Sequence, residues 1–247
     1  MKLTAPQKYN DMKTTQLKDA LANNSRLIED IVGIPSNFKT SKISTDNIFI
    51  MYHRNSDNNP LMINPLDWSS YQNSGEIADG VVVVEGGKIL VVGPTETNLY
   101  WSSRAVNGGG KTTDDLLIAL NDWEGRSNTT SQITHSECNG ASYASGFCAQ
   151  YSRVNANGIG LPAGKWWLPS LGELMMICAN MRKINYALSL INDAIKLSEA
   201  WYWSSTEVRA ADAWSMHIGG GCEKIHPKNG NSFMVRPVSH ILKMFDN

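Results

Sequence analysis

A run of glycines followed by lysine and threonine is the first part of the sequence that could do chemistry. Residues 105–112 read A-V-N-G-G-G-K-T, close to the G-x-x-x-x-G-K-[ST] loop whose backbone amides hold nucleotide phosphates. However, Ala105 replaces the first glycine, and residues 98–104 are too short and polar to form the buried strand that precedes such a loop. No apolar strand ending in Asp supplies a magnesium ligand. The pattern therefore disfavours nucleotide binding.

Other residue types that could act in catalysis lack suitable partners. Ser204 and Ser205 lie in Y-W-S-S-T-E, outside any G-x-S-x-G frame, and we expect them to fix a turn through local hydrogen bonds. None of the five histidines forms H-x-x-x-H or H-E-x-x-H, so metal ligation has no support from spacing. Glu173 follows Ser170 by three residues, which predicts a helix capping box rather than a general acid. We predict no catalytic residue, no metal and no cofactor.

The four cysteines predict neither a disulfide scaffold nor a zinc site. They are few for 247 residues, are irregularly spaced and form no C-x-x-C. Cys178 lies in an apolar helical run and is expected in the core. Cys138 and Cys148 flank a Gly/Ser loop and could pair if oxidised, although free loop cysteines are the favoured interpretation.

The composition excludes several classes of protein. Lys+Arg 22 and Asp+Glu 23 give a net charge of -1, so no global basic field attracts nucleic acid or an anionic membrane. The mean hydropathy is -0.28, and no apolar run approaches the ~18 residues that span a bilayer. The start of the chain lacks the apolar segment of a secretory signal, which predicts cytoplasmic synthesis without Sec export. Eight tryptophans and 20 glycines indicate a loop-rich globular fold.

The N-terminal part is predicted to begin with a helix over residues 6–33. Asn24 lies on its apolar stripe, and a single polar residue in a and d spacing could specify a short parallel coiled coil, giving a homo-oligomer. The alternative is that the stripe docks onto the rest of the chain. Broken apolar runs follow, so we place a boundary near residue 75, between an attachment or oligomerisation segment (1–75) and the main domain (76–247). The stripe consists of Leu17, Leu21, Asn24, Ile28 and Ile31.

The main domain begins with strands and continues with helices. Residues 81–84 and 88–92 are β-rich runs around Gly86-Gly87, which predicts a tight hairpin. The Thr-Thr-Asp-Asp start of residues 112–123 predicts a capped helix, and residues 128–143 are interpreted as a polar loop. The capping box at Ser170 starts a helix through Ala179. A second helix is expected over 184–191, and a closing strand over 233–238.

Four motifs together resemble a known family. They are W-x-L-P-S-x-x-E-L at 166–174, Y-W-S-S-T-E at 202–207, Ala-Trp at 213–214 and V-R-P-V at 235–238, joined by N-D-W-E-G-R-S-N-T at 121–129. Their order resembles the C-type lectin-like domains of gut bacterial and phage proteins, including the variable proteins of diversity-generating retroelements. The resemblance covers about residues 78–240. It implies an α+β fold with small antiparallel sheets, two main helices and long loops, in which the first and last strands pair and residues 81–84 therefore lie near residues 235–238.

The resemblance also implies a working surface. In the retroelement type, residues between Y-W-S-S-T-E and V-R-P-V are diversified at adenine-containing codons, while a framework, here Trp166, Trp203, Trp214 and Arg236, stays fixed. The window 208–234 contains the residue types that adenine mutagenesis of an Asn codon produces. The alternative, which we call loop drift, is that the loop sequence has changed by ordinary mutation without targeted diversification. We expect ten of its side chains to form one exposed ligand-binding face: Val208, Arg209, Asp212, Ser215, His217, Gly220, Cys222, Ile225, His226 and Phe233.

The sequence thus predicts a receptor-binding protein rather than an enzyme. The expected partner is a protein or glycan receptor on a bacterial surface, and the expected location is a phage tail or the bacterial cell surface. Calcium-dependent sugar binding lacks support, because the triplets Glu-Pro-Asn, Gln-Pro-Asp and Trp-Asn-Asp are absent. The alternative is an enzyme on the related formylglycine-generating fold, whose paired reactive cysteines have no clear counterpart here.

Overall fold

A computed structural model of the chain describes residues 47–240. The helix predicted over residues 6–33 and its oligomerisation role lie outside the described residues and stay predictions. The described part is α+β, with two five-stranded sheets, one two-stranded sheet and short helices. In this part of the chain, no helix is long and apolar enough to cross a membrane.

The first sheet contains the predicted hairpin. Gly86 and Gly87 both have positive φ, 56° and 74°, as a tight turn between paired strands requires, and Glu85 pairs with Lys88. The hairpin is therefore confirmed. In the order β12-β4-β3-β1-β2, the sheet contains β1 (Ile48–His53), β2 (Pro60–Ile63), β3 (Ala78–Glu85), β4 (Lys88–Val92) and β12 (Val238–Ser239).

This sheet corrects three expectations. Strand β1 pairs with β3, so the boundary predicted at residue 75 falls inside a sheet, and residues 48–63 belong to it rather than to a separate attachment segment. The terminal strand pairs with β4, through Val238 and Val92, and not with residues 81–84. The predicted closing strand is interrupted at residues 236–237, and its first half lies in the second sheet.

The second sheet is built mainly from the C-terminal part of the chain. Its pairings are antiparallel except for that of β11 with β8. Strands β6 (Arg153–Val154) and β7 (Gly160–Leu161) form the small third sheet. In the order β10-β9-β8-β11-β5, the second sheet contains β5 (Thr97–Tyr100), β8 (Trp201–Arg209), β9 (Asp212–His217), β10 (Cys222–Pro227) and β11 (Ser232–Val235).

The helices are short. They are α1 (Trp68–Asn73), α2 (Leu116–Leu120), α3 (Gly125–Gln132), α4 (Ala144–Gln150), α5 (Leu171–Ala179) and α6 (Met181–Leu188). The capping box at α5 is confirmed in both directions. Helix α2 is shorter than predicted because the Asp115 carboxylate accepts from the amides of Leu117 and Ile118 and so fixes its start. Helix α6 begins three residues earlier than predicted.

The polar loop expected over residues 128–143 is wrong at its start, which is helix α3. Asn128 and Gln132 are buried in this helix, where they bond Asp122 and the backbone of Ser205. A polar sequence can occupy the interior when each group finds a partner. The polar composition of this segment therefore led to the wrong prediction of a loop where helix α3 forms.

Three apolar clusters hold the sheets and helices together. The main core joins one face of the first sheet to α5, α6 and the inner face of the second sheet, which contributes Tyr202, Trp214 and Met216. A smaller cluster containing Trp166 covers the other face of the first sheet. A further cluster, with Trp203 and residues of α4, covers part of the outer face of the second sheet.

Candidate functional site

The glycine-rich loop at residues 105–112 is occupied by a carboxylate of the protein itself. The amides of Gly108 and Gly110 donate to Glu207 at 2.9 and 3.1 Å. Lys228, which is fully buried, donates to the same carboxylate at 2.5 Å and to the carbonyl of Val106 at 2.7 Å. The backbone amides that could have bound a phosphate instead donate to Glu207, which forms a buried ion pair with Lys228.

Glu173 has the structural role that its spacing predicted. Its carboxylate accepts from the amide of Ser170 at 2.8 Å and from the indole N–H of Trp167 at 3.2 Å. Burial raises the pKa of Glu173 to about 7, although these hydrogen bonds act in the opposite direction. Glu173 lines a cavity of about 240 Å³, but its accepting atoms already serve the start of α5.

A larger cavity, of about 480 Å³, is also lined by groups with structural partners. The Arg153 guanidinium donates to the carbonyl of Ala78 and forms an ion pair with Asp193. Gln72 donates to Asn192 on the same wall. These polar side chains tie loops together, so neither cavity offers an obvious reactive group.

The cysteines and serines considered in the sequence are also structural. Cys138 and Cys148 are free and buried, and burial raises the pKa of Cys138 to about 12 and that of Cys148 well above its ordinary value. Both are therefore neutral thiols. Cys178 is only half-buried and packs against the main core. Ser204 accepts from the amide of Thr206, a local hydrogen bond as expected, but both serines lie in strand β8 and the predicted turn is wrong.

The predicted framework residues are buried, and each has a polar partner. The indole N–H groups of Trp166, Trp203 and Trp214 donate to the carbonyls of Leu161, Leu99 and Thr113, at 2.7, 3.0 and 2.9 Å. Arg236 is 1% exposed, donates to two backbone carbonyls and pairs with Glu96 at 2.8 Å. Burial of these side chains agrees with a scaffold role.

On the outer face of the second sheet, four half-buried rings contact one another. We call them the aromatic surface: Trp201, His217, His226 and Phe233. The Trp201 ring lies 5.4 Å from His217 and 5.0 Å from His226 between centroids, and His226 lies 4.7 Å from Phe233. The edge-on geometry at all three contacts is a favourable one for aromatic pairs. Trp201 was missed in the sequence, although its position two residues before Trp203 places both on one face of a strand.

Hydrogen bonds fix the two imidazoles of this surface. The Nδ1 atom of His217 accepts from the amide of Gly220 at 3.0 Å, and Nδ1 of His226 lies 2.8 Å from the Ser215 hydroxyl. Burial, followed by the charge of Lys224, lowers the pKa of His226. At neutral pH, His226 is therefore a neutral imidazole. Among the described residues, no group of three or more His, Cys, Asp or Glu could hold a metal ion.

Only part of the predicted ten-residue face comes together. Strand pairing aligns Cys222 with His217, and alternation places Ser215 and His226 on the same side. Phe233 contacts His226 from β11. These five residues share the outer face, with Gly220 in the adjoining turn. Cys222 is exposed, whereas Ser215 is fully buried beneath the rings.

The other four residues lie elsewhere, so the prediction of one exposed face is wrong. Val208 packs against the main core, and Ile225 pairs with Trp214 on the opposite side of the sheet. Arg209 and Asp212 form an ion pair where β8 turns into β9, and Asp212 is buried. The physical reason is the two-residue period of strands, which sends neighbouring residues of one window to opposite faces.

Comparisons with known proteins give little information about function. No family model matches the chain, and no curated protein matches it. The crystal structure of a fimbrial protein from Bacteroides ovatus is similar, with a TM-score of 0.41 and 16% identity over 62% of this chain. The match spans 35% of the fimbrial protein's length. A likeness this distant carries no argument about function.

Proposed function

We propose that this chain is a binding protein, not an enzyme, and that it recognises a receptor on a bacterial surface through the aromatic surface. The observation that carries the proposal is the cluster of Trp201, His217, His226 and Phe233. Its rings are in mutual contact, yet they stay half-buried on a sheet whose opposite face is core. Exposed aromatic groups on a rigid scaffold are typical anchors of binding sites.

The finer assignment, a C-type lectin-like variable protein displayed on a phage tail or a bacterial cell surface, belongs to the same proposal. Its support is the order of the motifs together with their roles. W-x-L-P-S-x-x-E-L contains the capping box of α5, Y-W-S-S-T-E lies in β8, and V-R-P-V joins the two large sheets. The window between them supplies three of the four rings of the aromatic surface, and Trp201 adjoins Y-W-S-S-T-E.

A cell-binding experiment tests the proposed function. Fluorescently labelled full-length protein is incubated with a panel of intact bacterial cells, and bound protein is measured by flow cytometry. The variant Trp201→Ala/His226→Ala/Phe233→Ala should lose more than about 90% of binding, because aromatic anchors dominate interface energetics. The matched control Leu66→Ala/Tyr186→Ala changes exposed apolar residues elsewhere and should bind normally. Equal binding by both variants would refute the proposal.

The coding DNA tests diversification separately. A neighbouring reverse-transcriptase gene and a template repeat matching codons 203–236 except at adenines are expected. Because strands alternate, the adenine differences should favour outward positions such as His217, Cys222 and His226 over Trp214, whose side chain is in the main core. Differences spread evenly over inward and outward positions would support loop drift instead.

A further inference from the structure

The two imidazoles of the aromatic surface present opposite hydrogen-bonding groups to solvent. In His217, Nδ1 accepts the amide hydrogen of Gly220, so the proton of the neutral ring lies on Nε2. Nε2 has no hydrogen-bond partner among the described residues and is not one of their buried unpaired atoms. His217 therefore offers one accessible N–H donor.

His226 has the opposite tautomer. The Ser215 hydroxyl donates its only hydrogen to the carbonyl of Lys224 at 3.0 Å. The 2.8 Å contact between Ser215 and Nδ1 of His226 must then use a hydrogen from the imidazole. Nε2 of neutral His226 is left with a lone pair and, in the part of the chain that the structure describes, with no partner. It is an accessible acceptor.

The Trp201 indole contacts both imidazoles, at 5.4 and 5.0 Å, so an apolar ring is flanked by one donor and one acceptor. A hydroxyl group both donates and accepts, and a ring with C–H groups on its face packs well on an indole. Resting on the proposed function, we infer that the aromatic surface binds a neutral pyranose ring of a surface glycan, without calcium. The sugar stacks on Trp201 while its hydroxyls bond the two Nε2 atoms.

The charges on this face favour a neutral ligand. The titratable side chains at this face are His217, Cys222, Lys224 and His226 on β9 and β10, together with Glu199, which packs against Gly219 in the adjoining turn. Lys224 and Glu199 have opposite charges, so the face has no net charge that would select a charged partner. A peptide is the main competing ligand, because β10 is at the edge of the sheet and could pair with an added strand. Such pairing would use the backbone of β10 and would not need the imidazole nitrogens.

Direct titration with small sugars tests the inference. Methyl glycosides of glucose, galactose, mannose and N-acetylglucosamine are titrated into full-length protein, and binding is followed by saturation-transfer NMR and indole fluorescence. At least one should bind at pH 7.5. Trp201→Ala and His226→Leu should each weaken it about tenfold or more, while Tyr186→Ala should not change it. His226→Gln, which keeps a carbonyl acceptor, should retain more affinity than His226→Leu.

The pH dependence of glycoside affinity provides a second test, because it should not change if His226 only supported the fold. Because burial lowers the pKa of His226, the pH at which its imidazole protonates is first measured by NMR titration, and binding is compared at pH 7.5 and at a pH below that midpoint. Protonation turns Nε2 into a donor, so binding of the neutral glycoside should be weaker below the midpoint, whereas methyl glucuronide should bind more tightly there. The melting temperature of each variant is measured at both pH values. A glycoside whose affinity does not depend on pH, or on Trp201 and His226, overturns the inference.

Treatment of the cells separates this inference from the proposed function. Periodate oxidation should abolish cell binding, and protease treatment should not. If protease alone abolishes it and no glycoside binds, the receptor is a protein: the glycan inference fails and the proposed function stands. If glycosides bind but cell binding is unaffected by the triple variant, the proposed function fails.

Discussion

The outer face of the second sheet is covered at one end and accessible at the other. At the covered end, Trp203, Ala213 and Val235 pack under Cys148 and neighbouring residues. At the accessible end, two residues along the same strand, Trp201 packs only partly and is half-buried. Two tryptophans of one strand thus have different environments, since further elements cover one and not the other. The difference shows how scaffold and binding surface can share a strand.

The largest effect should separate these two tryptophans. Trp203→Ala removes a fully buried ring and leaves a cavity, which should lower the free energy of unfolding by about 3 to 5 kcal/mol. Trp166→Ala and Trp214→Ala should act similarly, whereas Trp201→Ala should cost only about 1 kcal/mol. Urea unfolding followed by circular dichroism measures all four. Equal losses at Trp201 and Trp203 would remove the distinction between scaffold and surface.

A second comparison concerns two lysines four residues apart. Lys228→Met leaves the buried Glu207 carboxylate without its cation, and should cost about 3 kcal/mol because an unpaired buried charge is strongly unfavourable. Adding Glu207→Gln should recover part of that loss. Lys224→Met, on the exposed face, should change stability by no more than about 0.5 kcal/mol. If Lys228→Met were as mild as Lys224→Met, the ion pair would not anchor the glycine-rich loop.

The sequence predicted the scaffold better than the surface, for physical reasons. The Gly86-Gly87 hairpin and the Ser170 capping box depend on local geometry, which a few neighbouring residues determine. The aromatic surface depends on strand register, on the turn at Gly220 and on which elements cover the sheet. Helix α3 was missed for a related reason, because Asn128 and Gln132 find partners far away in the sequence.

Scaffold and surface should also differ in their response to pH. The pKa of Glu173 in the folded protein is about 7, above its ordinary value, so the folded state binds more protons than the unfolded state between pH 4.5 and 7. Stability is then highest below that window and falls as pH rises through it, by roughly 3 kcal/mol. Glu173→Gln keeps a capping carbonyl and should remove this decline.

The measurement is the difference in unfolding free energy between wild type and Glu173→Gln at pH 4.5 and at pH 8. We expect Glu173→Gln to be more stable than wild type at pH 8, and the same stabilisation should appear when Glu173→Gln is introduced into His217→Gln/His226→Gln. A parallel decline in wild type and in Glu173→Gln would assign the effect to other groups.

The smallest effect on stability should come from the surface itself. His217→Gln/His226→Gln changes two half-buried rings whose Nε2 atoms have no protein partner, so the free energy of unfolding should shift by less than about 1 kcal/mol. The same double variant alters both groups offered to a ligand, and cell binding should fall at least tenfold. Because strand alternation directs the two imidazoles away from the main core, replacing them should not change the packing of Tyr202 or Met216. Near-ultraviolet circular dichroism checks that packing directly. Weakened core packing in the double variant would mean that the imidazoles support the fold, and the separation of the two faces would have to be abandoned.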